Sequence, residues 1–302
     1  MIRLALLLTS FVAYVPFAGA DETRRRVANV SSAGVLAANG QNAVLVAAHR
    51  GGYADDKRDQ APENSLANLQ LAIQKGYDVY ETDIQRTADG VFVIVHDPSL
   101  DRETDGSGKA SDLTLAELKK LKKRYRDRSI SNQQVATLEE LLVAGKGKIL
   151  FKPDLKPGII EHFAELAKLI GRLEMSDQVF LRTQYANTKV VKKCFEDGCP
   201  KVEVMFRAKT TEQVRTIVDW FHPKTIQIDL AKNESLSAKK TAAIQAAVNA
   251  GVLVETHSYS DPKQWQRLAE AGVRMFHTAQ PDATLKYLKS NGWRQGLARS
   301  TQ

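Results

Sequence analysis

Short apolar runs alternate with longer amphipathic segments along most of this chain. Runs such as "KILF" (148–151) and "VLVE" (252–255) have the length and composition of buried β-strands. The segments between them carry apolar residues at helical spacing. Strands are predicted at 44–48, 79–85, 91–96, 148–154, 178–183, 202–207, 226–230, 252–257 and 274–278. Helices are predicted at 65–75, 114–124, 137–144, 159–173, 185–196, 210–220, 236–250, 261–271 and 281–289.

The segment "SLANLQLAIQKG" (65–76) shows the helical pattern most clearly. Apolar residues recur on one face from Leu66 to Ile73. Ser65 can cap the start of this helix, and Gly76 can end it.

The alternation of strands and helices predicts an α/β fold, and eight such units would close a (β/α)8 barrel of the TIM type. The pattern contains one strand too many. Strands 79–85 and 91–96 are joined by a short turn around "TADG" (87–90), which leaves no room for a crossover helix, so they should form an antiparallel hairpin. We therefore predict a barrel over residues 43–292 with an extra hairpin strand. Residues 98–147 are longer than one connection needs and are predicted to hold an insertion, and 293–302 form a C-terminal tail.

Chain length and composition limit the number of domains, and the pattern of the first residues indicates export. The chain has 302 residues, of which 43% are hydrophobic and 26% charged, which fits one large globular domain or two small ones. No linker or shift in composition marks a second domain. Residues 1–20 combine Arg3, an apolar run and a small-residue site that ends at Ala20. This is the pattern of a signal peptide, with an uncleaved anchor as the alternative. We predict cleavage after Ala20, an extended arm over 21–42, and a soluble protein that is periplasmic or secreted.

The charge balance is basic. The formal net charge is +8, and cleavage after Ala20 would remove only Arg3 and leave +7. Such a charge suits a phosphate-bearing partner or an anionic membrane surface. The most basic segment, 118–128, is either a solvated helix face or a membrane contact. The chain contains no nucleic-acid-binding motif, so no nucleic-acid partner is expected.

Two cysteines, Cys194 and Cys199, are close in sequence. In an oxidising compartment a short-loop disulfide is expected, and two reduced neighbouring thiols are the alternative. The spacing does not match a metal-binding motif.

Polar residues gather where the predicted strands end, which is the catalytic end of a barrel of this type. The first strand ends in His49-Arg50. Alternation places Glu81 and Asp83 on one face of the second strand, and a register that pairs Arg86 with Val91 would set Glu81 opposite His96.

The strand at 148–154 ends in Asp154, and Lys156 lies on the same face. Three carboxylates favour one hard divalent cation, Mg²⁺ or Ca²⁺. An arginine and a lysine suit phosphate, and two histidines suit acid–base catalysis. Singly, each residue has an ordinary structural explanation; Glu63, for example, could simply begin a helix. Together they indicate metal-assisted phosphodiester cleavage.

Four motifs resemble the glycerophosphodiester phosphodiesterase family: "HRG" (49–51), "PENS" (62–65), "YETDIQRTADGVFVIVHD" (80–97) and "LDRETDG" (100–106). "TLEELL" (137–142) and "DLK" (154–156) follow in the family's order. The resemblance is strong over 44–156 and weaker to about residue 290. It implies a barrel of the phosphatidylinositol phospholipase C-like type that hydrolyses glycerophosphodiesters to glycerol 3-phosphate and an alcohol, with Mg²⁺ or Ca²⁺.

The resemblance also implies a role for each matching residue. His49 and His96 match the catalytic histidine pair, and Arg50 matches the phosphate-binding arginine. Glu81 and Asp83 match metal ligands, and Glu63 an acidic residue at the edge of the metal and phosphate site. Asp154 stands where the family has a glutamate ligand, followed by the matching Lys156. One histidine would take the proton of the glycerol 2-hydroxyl, which attacks phosphorus, and the other would protonate the leaving alcohol; water would then open the cyclic phosphate.

Two departures from the family pattern bear on the substrate. Glu255 stands where the family often has tryptophan, which predicts either contact with a polar or cationic alcohol at the mouth or a pair with a lysine or arginine. The loop "YADDKRDQ" (53–60) is longer and more charged than usual. A phospholipase that acts on intact lipids and a non-catalytic phospho-ligand-binding protein are the alternative functions. The sequence leaves the oligomeric state open.

Overall fold

The computed structural model describes residues 43–52, 61–230, 236–259 and 261–294. The predicted signal peptide, the arm over 21–42, the loop 53–60 and residues 295–302 lie outside the described residues. No helix of the described part is long and apolar enough to cross a membrane.

Eight parallel strands close into a barrel, which confirms the predicted fold. Each pairs with the next, and the last pairs with the first. In order around the barrel they are β1 (Leu45–Ala48), β2 (Val79–Arg86), β6 (Leu150–Leu155), β7 (Phe180–Gln184), β8 (Glu203–Ala208), β9 (Thr225–Ile228), β10 (Leu253–His257) and β11 (Met275–Thr278).

The extra strand, β3 (Phe92–Ile94), pairs antiparallel with the end of β2, as predicted. The register differs from the prediction by one residue, because Arg86 pairs with Phe92 and not with Val91. The cause is the turn: Thr87 bonds Val91 through both its backbone and its hydroxyl, so only three residues, ending at Gly90 (φ 86°), make the reversal. The prediction that Glu81 faces His96 across the hairpin is therefore wrong, and His96 follows the end of β3.

Helices cover the outside of the barrel, close to the predicted positions. They are α1 (Leu66–Lys75), α2 (Leu115–Leu118), α3 (Leu138–Gly145), α4 (Phe163–Arg172), α5 (Thr188–Glu196), α6 (Thr211–Phe221), α7 (Ala238–Asn249), α8 (Pro262–Glu270) and α9 (Pro281–Ser290). Short 3-10 turns occupy His49–Gly51, Ala110–Asp112, Ile159–His162 and Tyr185–Asn187. Helix α1 begins and ends as its sequence predicts, since the Ser65 hydroxyl accepts from the Asn68 amide and Gly76 adopts a left-handed conformation.

The region between β3 and α3 contains a small sheet where a helix was expected. The predicted helix 114–124 ends at Leu118, and the chain then forms β4 (Lys122–Arg124), which pairs with β5 (Ile130–Gln134). The basic segment 118–128 is therefore the end of a short helix, a strand and a turn, and not a helix face. Lys123 points inward, fully buried against Glu103 at 3.4 Å, which explains why a lysine-rich stretch follows strand rather than helix spacing.

The barrel has an apolar interior at one end only. Residues at alternate positions of the strands fill the end where the strands begin: Leu45, Ala47, Val79, Leu150, Phe180, Met205, Leu253 and Met275. The larger core lies between the strands and the helices. Because side chains alternate along a strand, the next inward-facing positions continue toward the other end of the barrel, where the polar residues lie.

Two residues of the predicted tail belong to the barrel. The carbonyl of Trp293 accepts from the Val44 amide at 2.9 Å, and the buried Arg294 pairs with both oxygens of Asp78. Asp78 also accepts from the Val46 amide at 2.9 Å. The C-terminal tail of the prediction therefore begins no earlier than residue 295.

The expected disulfide is present, with Cys194 at the end of α5 bonded to Cys199 and a Cα–Cα distance of 5.5 Å. The two cysteines are only five positions apart in the sequence. Replacing both cysteines with alanine is expected to lower the free energy of unfolding by only about 2 kcal/mol, because so short a loop removes little entropy from the unfolded chain. Urea titration measures this, and wild-type protein in reductant should match the variant. An unchanged midpoint would contradict it.

Candidate active site

A polar cavity of about 230 Å³ lies above the apolar end of the barrel. All eight barrel strands, or the residues directly after them, contribute to it. It is lined by His49, Glu81, Asp83, His96, Lys152, Asp154, Lys156, Arg182, Arg207, Gln227, Asp229, His257 and His277. Most of these continue the inward-facing positions of the strands, so strand alternation alone builds the cavity.

The turn after β1 is shaped to bring backbone against the site. Arg50 has φ 50°, and its amide donates to Glu81 Oε2 at 2.8 Å. Gly51 follows with φ 80°, and a Cβ there would lie 1.5 Å from Asn68 Oδ1. A glycine is therefore required for the chain to leave β1 in this direction.

Three predicted metal ligands converge at one edge of the cavity. Oxygens of Glu81, Asp83 and Asp154 all lie within 4.8 Å of one another. Register explains this, since Asp83 pairs directly with Asp154 between β2 and β6. Lys156 Nζ is 2.7 Å from Asp83 and 3.4 Å from Asp154. Burial alone would lower the pKa of Lys156, but these carboxylates raise it overall, so it stays charged.

Three hard oxygen donors on rigid neighbouring strands fit a divalent cation such as Mg²⁺ or Ca²⁺. The shorter side chain of Asp154, compared with the family's glutamate, does not prevent the convergence, because its oxygens belong to the same cluster as those of Glu81 and Asp83.

Glu63 lies at the edge of the site, beside the guanidinium groups of Arg50 and Arg102. Its Oε1 accepts from Arg50 at 3.0 Å and from Arg102 at 2.7 Å. Burial would raise the pKa of Glu63, but the Arg102 hydrogen bond and the two positive charges lower it overall. Arg50 is also 3.7 Å from Asp83, so Glu63 holds this guanidinium beside the carboxylate cluster.

His96 reaches the cavity from the loop after β3 and is held by a chain of contacts. Its Nδ1 lies 2.6 Å from Asp97 Oδ1, and Asp97 in turn pairs with Arg102. Partial burial opposes ionisation of Asp97, but hydrogen bonds from Arg102 and His96 lower its pKa to about 2. Glu103 accepts from the amides of both His96 and Asp97. Because Nδ1 is held by Asp97, Nε2 is the ring nitrogen of His96 that can contact a ligand.

His49 belongs to a group of three histidines. Its ring lies 4.7 Å from that of His277 and 5.6 Å from that of His257. Burial lowers the pKa of His49 to about 4 and lowers the pKa values of the other two as well. All three imidazoles are therefore neutral at pH 7. His277 Nε2 also lies 3.5 Å from Glu81, which links the histidines to the carboxylate cluster.

The predicted position of Glu255 at the mouth is wrong. Its side chain is fully buried, with Oε1 2.5 Å from Lys152 Nζ and 3.1 Å from Gln227. It occupies the inward-facing position directly above Leu253, deeper than the residues at the strand ends. Of the two sequence interpretations, the pair with a lysine is the one observed, and the argument for a cationic alcohol no longer stands.

Sequence reasoning did not identify several residues that line the cavity: Lys152, Arg182, Arg207, Gln227, Asp229, His257 and His277. A usable signal was present in each strand. Lys152 stands two positions after Leu150, and His277 two positions after Met275, on the inward face in both cases. Counting by twos from the innermost inward-facing residue of each strand, which is Thr225 in β9, would have found them.

Comparison with known proteins agrees with this site. The model of the Glycerophosphoryl diester phosphodiesterase family matches residues 49–283, a range that begins at His49 and includes every strand of the barrel except β1. The chain belongs to this family. The matched range contains His49, Arg50, Glu81, Asp83 and His96.

Individual curated relatives align with different lengths of this chain. A glycerophosphodiester phosphodiesterase of Caldanaerobacter subterraneus is 37% identical over 132 residues, which cover 43% of this chain and 52% of that protein. The chain thus spans about half the length of the first curated relatives it matches.

Two solved structures have the same fold as this chain. An enzyme of this type from Parabacteroides distasonis has a TM-score of 0.72 at 22% identity, over 87% of this chain and 93% of that one. A phosphodiesterase of Oleispira antarctica, solved with the product sn-glycerol-3-phosphate, has a TM-score of 0.64 at 21% identity, over 81% of this chain and 96% of that one.

Proposed function

We propose that this protein is a metal-dependent phosphodiesterase that hydrolyses glycerophosphodiesters to sn-glycerol 3-phosphate and an alcohol. One observation carries the proposal: two histidines and three carboxylates line one cavity at the carboxyl ends of the strands, and the Arg50 guanidinium lies beside it, 3.7 Å from Asp83. Membership of the family and the product bound to the Oleispira antarctica neighbour support the same reaction.

The cation is proposed to be held by Glu81, Asp83 and Asp154. A bound Mg²⁺ or Ca²⁺ would supply positive charge to the phosphate and would make the attacking hydroxyl more acidic. The chain adds positive charge of its own beside this cluster. The Arg50 guanidinium suits two phosphate oxygens, while Lys156 contributes a point charge.

The two histidines are proposed to move the protons. His49 is neutral at pH 7 and can accept a proton from the attacking glycerol hydroxyl. His96 is held with Nδ1 on Asp97, so its Nε2 can deliver a proton to the departing alcohol. Opening of the resulting cyclic phosphate by water reverses these two roles.

Purified protein is expected to release glycerol 3-phosphate from glycerophosphocholine, and to lose this activity in EDTA, because the carboxylate cluster then has no cation. Adding Mg²⁺ or Ca²⁺ back at matched concentrations, with an enzyme-coupled assay for glycerol 3-phosphate, identifies the ion that restores it. Activity on intact phospholipids alone would favour a phospholipase. Binding without turnover in any metal would favour the non-catalytic alternative.

We also propose that the protein is exported. Residues 1–20 have the signal-peptide pattern, and the Cys194–Cys199 disulfide is the chemistry expected in an oxidising compartment. Fractionation of cells that express the full chain, followed by N-terminal sequencing, tests both export and cleavage after Ala20.

A further inference from the structure

A second cavity, of about 320 Å³, adjoins the candidate active site. The two cavities meet at Arg50, since this residue lines the second cavity and contacts Asp83 of the first. Its other walls come from the "LDRETDG" segment and from the turn between β4 and β5. The described residues that line it are Arg50, Glu63, Arg102, Arg124, Tyr125, Arg126 and Arg128.

The lining is strongly cationic. Five guanidinium groups surround it, and Glu63 is the one carboxylate among its described lining residues. Both Arg50 and Arg102 already contact Glu63 Oε1. Arg124 donates to the carbonyl oxygens of Thr104 and Arg128, at 2.6 and 2.8 Å, and these neutral acceptors leave its charge in place.

The arginine-bearing turn is fixed relative to His96. The Arg124 amide donates to the Glu103 carbonyl at 2.7 Å, and the neighbouring Lys123 pairs with the Glu103 carboxylate inside the protein. That same carboxylate accepts from the amide of His96. Glu103 therefore connects the wall of the second cavity to a candidate catalytic histidine, and a group bound there would be held at a set position relative to the reacting diester.

We propose that this arginine pocket binds a second phosphate group, carried by the alcohol of the diester substrate. The inference rests on the proposed function and names the substrate class: diesters whose alcohol is itself a phosphate ester. Planar guanidinium groups are the side chains best matched to phosphate oxygens. The buried position of Glu255 and the arginines at the opening together favour an anionic alcohol over a cationic one.

The test uses two substrates that differ by one phosphate, glycerophosphoinositol 4-phosphate and glycerophosphoinositol. Wild-type protein is expected to favour the first in kcat/KM by about tenfold or more, as charge-assisted hydrogen bonds to phosphate would give. The double variant Arg126→Gln/Arg128→Gln should bring the ratio close to one. Both side chains are exposed, so the fold should tolerate the change, and its melting temperature checks this.

A matched control removes the same charge elsewhere. Arg215→Gln/Arg267→Gln lies on the outer helices α6 and α8, also at exposed positions, and should keep the wild-type ratio. If both double variants lower the ratio equally, overall charge and not the pocket is responsible, and the proposal is overturned. A wild-type ratio near one overturns it as well.

Binding measurements separate this proposal from the proposed reaction. Calorimetry on the His49→Ala variant compares the affinities for the two diesters without turnover. An affinity difference that Arg126→Gln/Arg128→Gln removes supports the pocket even if wild-type protein releases no glycerol 3-phosphate.

Sedimentation with phosphatidylglycerol and phosphatidylcholine vesicles tests whether the arginines bind the phosphate groups of membrane lipids instead. Loss of vesicle binding in the double variant, with an unchanged diester ratio, would assign the arginines to a membrane surface instead.

Discussion

Replacing either His49 or His96 with alanine is expected to reduce kcat for glycerophosphodiester hydrolysis by at least about 10²-fold, the usual contribution of a positioned acid or base. The two histidines enter the cavity from different elements, the turn after β1 and the loop after β3. Neither is expected to replace the other, because each is proposed to serve a different end of the proton transfer. KM should change much less than kcat, since Arg50 and Lys156 remain to bind the phosphate.

The matched control for the histidine variants is His162→Ala. His162 lies in the 3-10 turn before α4, and it contacts Glu165 on the outer surface. This variant should keep wild-type kcat, and circular dichroism should show that all three proteins are folded. Near-wild-type turnover by either His49→Ala or His96→Ala would refute the assignment of that histidine.

The Glu255→Gln variant is expected to lose about 3–5 kcal/mol of unfolding free energy, because it leaves a buried charge without its partner. Lys152 and Glu255 are both almost completely buried, and their charged atoms are 2.5 Å apart. Glutamine keeps the size of the side chain, so the loss reports the missing charge and not a cavity. Urea unfolding followed by fluorescence measures it.

Two further variants make the Lys152–Glu255 measurement specific. The double variant Lys152→Met/Glu255→Leu removes both charges and should recover much of the stability lost by Glu255→Gln. Glu139→Gln breaks the exposed pair with Arg172 and should change stability little, because water screens that pair. A Glu255→Gln protein as stable as wild type would show that the carboxylate does not hold Lys152.

The same Glu255→Gln protein addresses the sequence-based expectation about the substrate. A residue that selected a cationic alcohol would change the order of preference among choline, ethanolamine and inositol diesters when its charge is removed. Because Lys152 and Gln227 already occupy Glu255 Oε1, that order should stay the same among whatever protein remains folded.

Local patterns were sufficient for the barrel and for the motif residues. Period-two and period-3.6 spacing located each barrel strand and its helix, and the short turn after Arg86 identified the one strand that could not be parallel. They failed for the register of that hairpin, where the Thr87 hydroxyl bond tightens the turn by one residue. Local patterns also failed for 118–128, where they predicted a helix. Lys123 is buried there against Glu103, which precedes this segment in the sequence, and the chain forms a strand instead.

The sequence by itself determined the barrel, the strand ends on which the chemistry lies, and the cluster of His49, Arg50, Glu81, Asp83 and His96. These follow from spacing within single elements and from contiguous motifs. Only the tertiary structure decided which charges meet. It buried Glu255 against Lys152 from the other side of the barrel, and it gathered arginines from three separate segments around one cavity. Pairings of this kind depend on which strands face each other across the closed barrel. A local sequence pattern does not show this, because the paired residues are far apart in the sequence.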